Sequence, residues 1–136
     1  MWIFNGKEVN SHDDLHPDCT DFVYVITFDS GCSYIGKKCV RSIRRKPPLK
    51  GYKRNRRIMT NHKFDNYQGS FDGAKEMVPV QKNILFQCRS KKTATYLEVK
   101  TLMDTGAIFK TNYLNENISG VFFSNSLDGL IQDDEY

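Results

Sequence analysis

Phe22-Val23-Tyr24-Val25-Ile26-Thr27-Phe28-Asp29-Ser30-Gly31-Cys32-Ser33-Tyr34-Ile35-Gly36 is two β-rich runs broken by three turn-forming residues. The first run is β-branched or aromatic on both parities, as expected of a strand covered on two faces. Asp29-Ser30-Gly31 supplies turn chemistry, and Cys32 to Gly36 returns as a second strand. A three-residue loop places Phe28 opposite Cys32 and Ile26 opposite Tyr34. Tyr24 and Tyr34 then share a face as diagonal neighbours, roughly 7–8 Å apart. A slip of one residue would send them to opposite faces.

Downstream, Gln81 to Cys88 predicts a third strand. Ser90 or Thr93 caps a helix running to about Thr105 and closed by Gly106. Tyr96, Val99, Leu102 and Met103 follow helical spacing as its apolar stripe, with Glu98 at the stripe's edge. Phe71 to Met77 predicts a short helix before Pro79. The order strand, strand, long loop, strand, helix gives an α/β (α+β) domain, with a small antiparallel three-stranded sheet flanked by helices. Residues 1–21, polar and acidic apart from Trp2 to Phe4, read as a loosely packed arm, and residues 121–136 as a tail.

The 136 residues have room for one compact domain, and 39% hydrophobic with 26% charged residues argues against a disordered or fibrous chain. The apolar runs are too short to cross a bilayer, and the N-terminus carries no secretory pattern. The four cysteines, Cys19, Cys32, Cys39 and Cys88, show no CxxC spacing, which fits reduced thiols in a cytoplasm.

The net charge of +4 hides an asymmetry. From residue 37 to 63 there are 12 of the 20 basic residues and no acid, leaving 8 basic against 16 acidic residues elsewhere. Lys37, Lys38, Arg41, Arg45, Lys46, Lys50, Lys53, Arg54, Arg56 and Arg57 are the candidate contacts to nucleic acid. Pro47-Pro48 and Gly51 exclude one continuous helix, so this stretch reads as an extended, loop-rich insertion. Tyr52 and Tyr67 stand in or beside it, where they could stack on unpaired bases.

Tyr24 followed by Tyr34-Ile35-Gly36 resembles the two-strand signature of GIY-YIG nucleases, with Phe22-Val23-Tyr24 where that family usually has Gly-Ile-Tyr. Lys37-Lys38, Arg44-Arg45-Lys46-Pro47-Pro48-Leu49-Lys50-Gly51, Tyr67-Gln68-Gly69-Ser70, Tyr96-Leu97-Glu98-Val99-Lys100 and Asn112-Tyr113-Leu114-Asn115 resemble, in order, blocks of its bacteriophage-type branch. The resemblance implies a nuclease domain over residues 22–120, with the basic insertion 37–63 inside it.

It further implies a metal-dependent DNA endonuclease or nickase. Tyr24 and Tyr34 match the hairpin tyrosines, Arg44 the active-site arginine with Arg45 as neighbouring alternative, and Glu98 the metal-binding glutamate. Asn115 matches the C-terminal asparagine, with Asn112 as the alternative. No histidine follows the arginine closely, and His62 stands beyond the basic stretch as its counterpart. Phosphodiester hydrolysis needs an in-line water and a counter-charge for the transition state. Glu98 would hold Mg²⁺ or Mn²⁺, with no further small-molecule cofactor. Tyr24 would position or deprotonate the water, Tyr34 would bond that water or the phosphate, Arg44 would fork onto phosphate oxygens, and Asn115 would orient Glu98 or a phosphate.

Two other classes stand beside this reading. One is a nucleic-acid-binding protein on the same scaffold without cleavage. The other is a regulatory protein that binds an acidic partner through residues 37–63.

Overall fold

The computed structural model describes residues 1–127. Two short strands, β1 (Trp2–Phe4) and β2 (Lys7–Val9), open the chain as a hairpin. Asn5 and Gly6 turn it with positive φ at both positions (51° and 78°), a geometry that suits a tight hairpin and that asparagine and glycine accommodate best. The hairpin predicted from its turn follows as β3 (Asp21–Phe28) and β4 (Ser33–Cys39). Ile26 lies opposite Tyr34, and the Phe28 N–H donates to the Cys32 carbonyl at 2.9 Å.

After Val40, β5 (Arg41–Lys46) and β6 (Arg56–Asn61) pair, among the described residues, only with each other. Next come β7 (Pro79–Cys88), the helix α1 (Lys91–Thr105), and a small hairpin of β8 (Asn117–Ile118) and β9 (Phe122–Phe123). The protein is α+β, with a main sheet ordered β2-β1-β7-β3-β4. β1 runs parallel to β7, and every other neighbouring pair is antiparallel.

This sheet has five strands where the sequence predicts three. The added pair comes from the residues read as a loose N-terminal arm. Trp2 is fully buried, with its ring 4.9 Å from Phe22 and 5.2 Å from Tyr24, and its Nε1 donates to the Phe64 carbonyl at 2.8 Å. Val9, Leu15 and Cys19 are buried in the same cluster. An indole that buries its rings and finds an acceptor for its N–H anchors a segment too short to show periodicity.

The basic stretch also departs from expectation. It is a β-ribbon, not an irregular insertion, with six rungs from Arg41 opposite Asn61 to Lys46 opposite Arg56. Phe71 to Met77 yields only one 3₁₀ turn, Ala74–Glu76. α1 begins and ends as predicted: Ser90 Oγ accepts from the Thr93 N–H, and Gly106 closes it with φ of 63°. Its inward face keeps Val99 and Leu102 of the predicted stripe and adds Ala94 and Leu97, while Tyr96 and Met103 are exposed.

Side chains alternate across β3. Phe22, Tyr24, Ile26 and Phe28 join the cluster around Trp2 and Phe64, whereas Val23 and Val25 face the side covered by α1. No helix among the described residues is long and apolar enough to cross a membrane. Of the predicted tail, residues 121–127 are described, and 128–136 lie outside the described residues.

Candidate active site

The predicted register brings the hairpin phenols together, with ring centroids 6.3 Å apart. Gly36 makes this possible. A Cβ there would stand 2.5 Å from Tyr24 Oη and 3.0 Å from the Tyr34 ring, so the phenol of Tyr24 occupies the space that any other residue would fill.

The loop after β6 closes over both rings. Tyr24 Oη donates to Tyr67 Oη at 3.3 Å, and Tyr34 Oη meets Ser70 Oγ at 3.3 Å. The loop is itself pinned. Lys82 Nζ donates to the carbonyls of Tyr67 (2.6 Å) and Asp65 (3.3 Å), and Gln68 Nε2 donates to those of Ala74 and Met77. Desolvation lowers the pKa of the Lys82 ammonium. Lys38 Nζ lies 4.8 Å from the Tyr67 ring centroid, a cation–π contact on the same side.

Beside these rings lies a cleft of about 700 Å³, whose walls include Tyr34, Ser70, Phe71, Glu98, Leu114 and Asn115. α1 brings Glu98 to it from the opposite face of the sheet. Burial raises the pKa of the Glu98 carboxyl, against the opposing pull of Lys37. Lys37 Nζ is held one turn away by Thr95 Oγ1 at 2.6 Å. Among the described residues Glu98 has no hydrogen-bond or ion-pair partner.

Burial pushes the phenol of Tyr24 far up, and the neighbouring Tyr67 adds to this. Tyr34 is raised too, chiefly by burial, with Ser70 working the other way. Burial thus favours the protonated form of both phenols, in which each hydroxyl can donate a hydrogen bond and position a water or a phosphate. Only Tyr34 lines the cleft; Tyr24 is fully buried and its hydroxyl is committed to Tyr67.

The remaining predicted site residues are placed elsewhere. Asn115 lines the cleft, but its amide is spent on β4: Oδ1 accepts from the Ile35 N–H at 2.9 Å and Nδ2 donates to the Ile35 carbonyl at 2.8 Å. It fixes the strand bearing Tyr34 and does not orient Glu98. Asn112 contributes a backbone carbonyl to the Ser33 N–H. Arg44 and Arg45 are exposed on the ribbon, opposite Ile58 and Arg57, and neither lines the cleft. His62 sits at the ribbon's base with Nε2 against Ser42 Oγ, also outside the cleft.

Arg41 leaves the set of nucleic-acid contacts. It is buried, and its guanidinium donates to the carbonyls of His12, His16, Pro17 and Cys19. Lys37 reaches Thr95 and acts on Glu98, and Lys38 lies over the Tyr67 ring, while Lys46, Lys50, Lys53, Arg54, Arg56 and Arg57 stay exposed on the ribbon and its connecting loop. Tyr67 and Ser70 are the partners that residue-by-residue reasoning passed over, although their block Tyr67-Gln68-Gly69-Ser70 was visible as a motif.

Comparison with known proteins gives one finding. A family model described as "Putative endonuclease segE, GIY-YIG domain" matches residues 2–118. No curated protein matches, and no solved structure matches.

Proposed function

From a chain that belongs to the segE-type GIY-YIG domain family, we propose a metal-dependent DNA endonuclease or nickase that hydrolyses phosphodiester bonds in the cleft between Tyr34 and Glu98. The observation carrying this is Glu98: a half-buried carboxylate without a protein partner among the described residues, facing the same cleft as a protonated phenol. Leaving such a group unpaired is costly unless something else meets it.

The donor set fits a hard divalent cation. Mg²⁺ commonly takes one or two carboxylates and completes its shell with water and substrate phosphate. Glu98 would hold it, with the hydroxyls of Tyr34 and Ser70 on the neighbouring wall. When bound, Mg²⁺ or Mn²⁺ would supply charge neutralisation at the phosphate and acidify a water.

The chain's own groups do the positioning. Tyr34 donates a hydrogen bond to the water or to a non-bridging phosphate oxygen. Tyr24 acts from behind, bonding Tyr67 and so holding the loop that carries Ser70. Asn115 keeps β4 in place at Ile35, directly beside Tyr34 in sequence. Lys37, the cation acting on Glu98, adds positive potential at the cleft, while Arg44 and Arg45 meet the DNA backbone from the ribbon. Positioning by pre-set groups of this kind is where most phosphoryl-transfer catalysis originates.

One observation favours the alternative, a nucleic-acid-binding protein that does not cleave: both candidate arginines stand outside the cleft. Incubating supercoiled plasmid with Mg²⁺ or Mn²⁺, with and without EDTA, decides between them. The nuclease reading expects relaxed or linear product that EDTA abolishes. It also expects Glu98→Gln to lose that product while still retaining DNA in a gel shift. Retention without product from the unmutated protein under every divalent ion would leave the binding reading.

A further inference from the structure

The β5–β6 ribbon is built against its own electrostatics. Arg45 faces Arg57 across one rung, and Lys46 faces Arg56 across the next. Like charges directly opposite destabilise an antiparallel pair. No acid forms an ion pair with any of the four among the described residues. A free two-stranded ribbon is marginal on its own, and this one is held at its root. Arg41 grips four carbonyls of the N-terminal segment, and His12 Nε2 donates to the carbonyls of both Val40 and His62 at 3.0 Å.

Register settles how the four cations are displayed. Successive rungs point to opposite faces, so Arg45 and Arg57 lie on one face of the ribbon and Lys46 and Arg56 on the other. A flat acidic surface could meet only one such pair. A partner with negative charge on two facing walls meets both.

We infer that the β5–β6 ribbon inserts into the major groove of duplex DNA, with its two faces turned to the phosphates of the two groove walls. Dimensions agree. The major groove, about 12 Å wide, admits a two-stranded ribbon. Strands of six residues run about 20 Å, close to the length of six base pairs at about 3.4 Å each. This rests on the DNA-directed reading above but not on cleavage.

The test uses the full chain carrying Glu98→Gln, so that DNA survives the measurement, with and without Arg45→Gln, Lys46→Gln, Arg56→Gln and Arg57→Gln together. Binding to a DNA duplex, to one of its single strands and to heparin is titrated against salt, with protection of guanine N7 from methylation mapped on the duplex. Removing four phosphate contacts should flatten the slope of log K against log salt by roughly 3 to 4 on the duplex. It should flatten single-strand binding less, and erase a protected stretch of about six base pairs. An unchanged duplex slope, or equal loss on duplex and single strand, overturns the inference. Loss on heparin alone overturns it in favour of an acidic protein partner. Should the fourfold variant fail to fold, Arg45→Gln and Arg57→Gln alone should each remove about one from the slope. Absence of plasmid cleavage by the unmutated protein would count against the nuclease reading and leave these slopes as they are.

Discussion

The cleft and the ribbon adjoin in the chain, since β4 carries Tyr34 and leads through Val40 into β5, yet they are stabilised in opposite ways. Around the cleft every phenol has a partner, the rings interlock, and Gly36 leaves only the volume that Tyr24 needs. On the ribbon the backbone ladder is complete but the outer side chains meet water and like charges. A site that must place one water needs rigid packing, whereas a surface that follows a polyanion needs unspent charge. The two therefore respond differently to substitution.

The packed half should break first. Trp2→Ala removes the indole that ties β1 to Phe22, Tyr24 and Phe64, and is expected to cost about 3–5 kcal/mol in a denaturant melt. Gly36→Ala is expected to cost about 1–3 kcal/mol, since its methyl must displace the Tyr24 ring. It should also reduce plasmid cleavage by more than its stability loss explains, compared well below the melting temperature. Tyr67→Phe, which removes the partner of a buried hydroxyl, is expected to cost about 1–3 kcal/mol, at the lower end because the bond is long at 3.3 Å.

Glu98 sharpens the contrast through pH. Its pKa in the fold is raised by burial, so its protonated form is favoured there. That stabilisation is fully present below the ordinary glutamate range and is lost as pH rises through the raised value. Thermal melts should therefore show Glu98→Gln more stable than the unmutated protein at pH 7 and about equal to it at pH 4. Cleavage by the unmutated protein should rise across the same interval, as the carboxylate ionises. The smallest effect belongs to the ribbon. Arg45→Gln should change stability by no more than about 0.5 kcal/mol and, if anything, raise it, because it relieves the rung shared with Arg57.

What the sequence makes legible follows the same division. The hairpin register could be read because a three-residue turn and a doubly covered strand leave one alignment, and the ends of α1 because Ser90 and Gly106 cap by local chemistry. The meeting of Tyr24 and Tyr34 followed from that register, while Glu98 came from the resemblance to the nuclease family. The parallel pairing of β1 with β7 could not be read, since it joins segments some eighty positions apart and β1 has three residues. The ribbon escaped because strands with both faces in water carry no apolar alternation: Arg41-Ser42-Ile43-Arg44-Arg45-Lys46 reads as charge. Of the stripe on α1, Val99 and Leu102 face the core, whereas Tyr96 and Met103 are turned outward, because apolar residues occur around much of the helix. The family resemblance put Arg44 and His62 in the site, and a match of motifs along the chain does not register that the ribbon carries them away from the cleft.

Asn115 has an effect beyond the cleft. β4 is the last strand of its sheet, and such a border presents free amides and carbonyls on which another chain could build. Here the carboxamide satisfies both backbone groups of Ile35, while Ser33 exchanges bonds with Asn112 and Leu114. A short irregular segment thus imitates a further strand along the first half of β4, from Ser33 to Ile35, and closes that stretch of the border to growth by self-association.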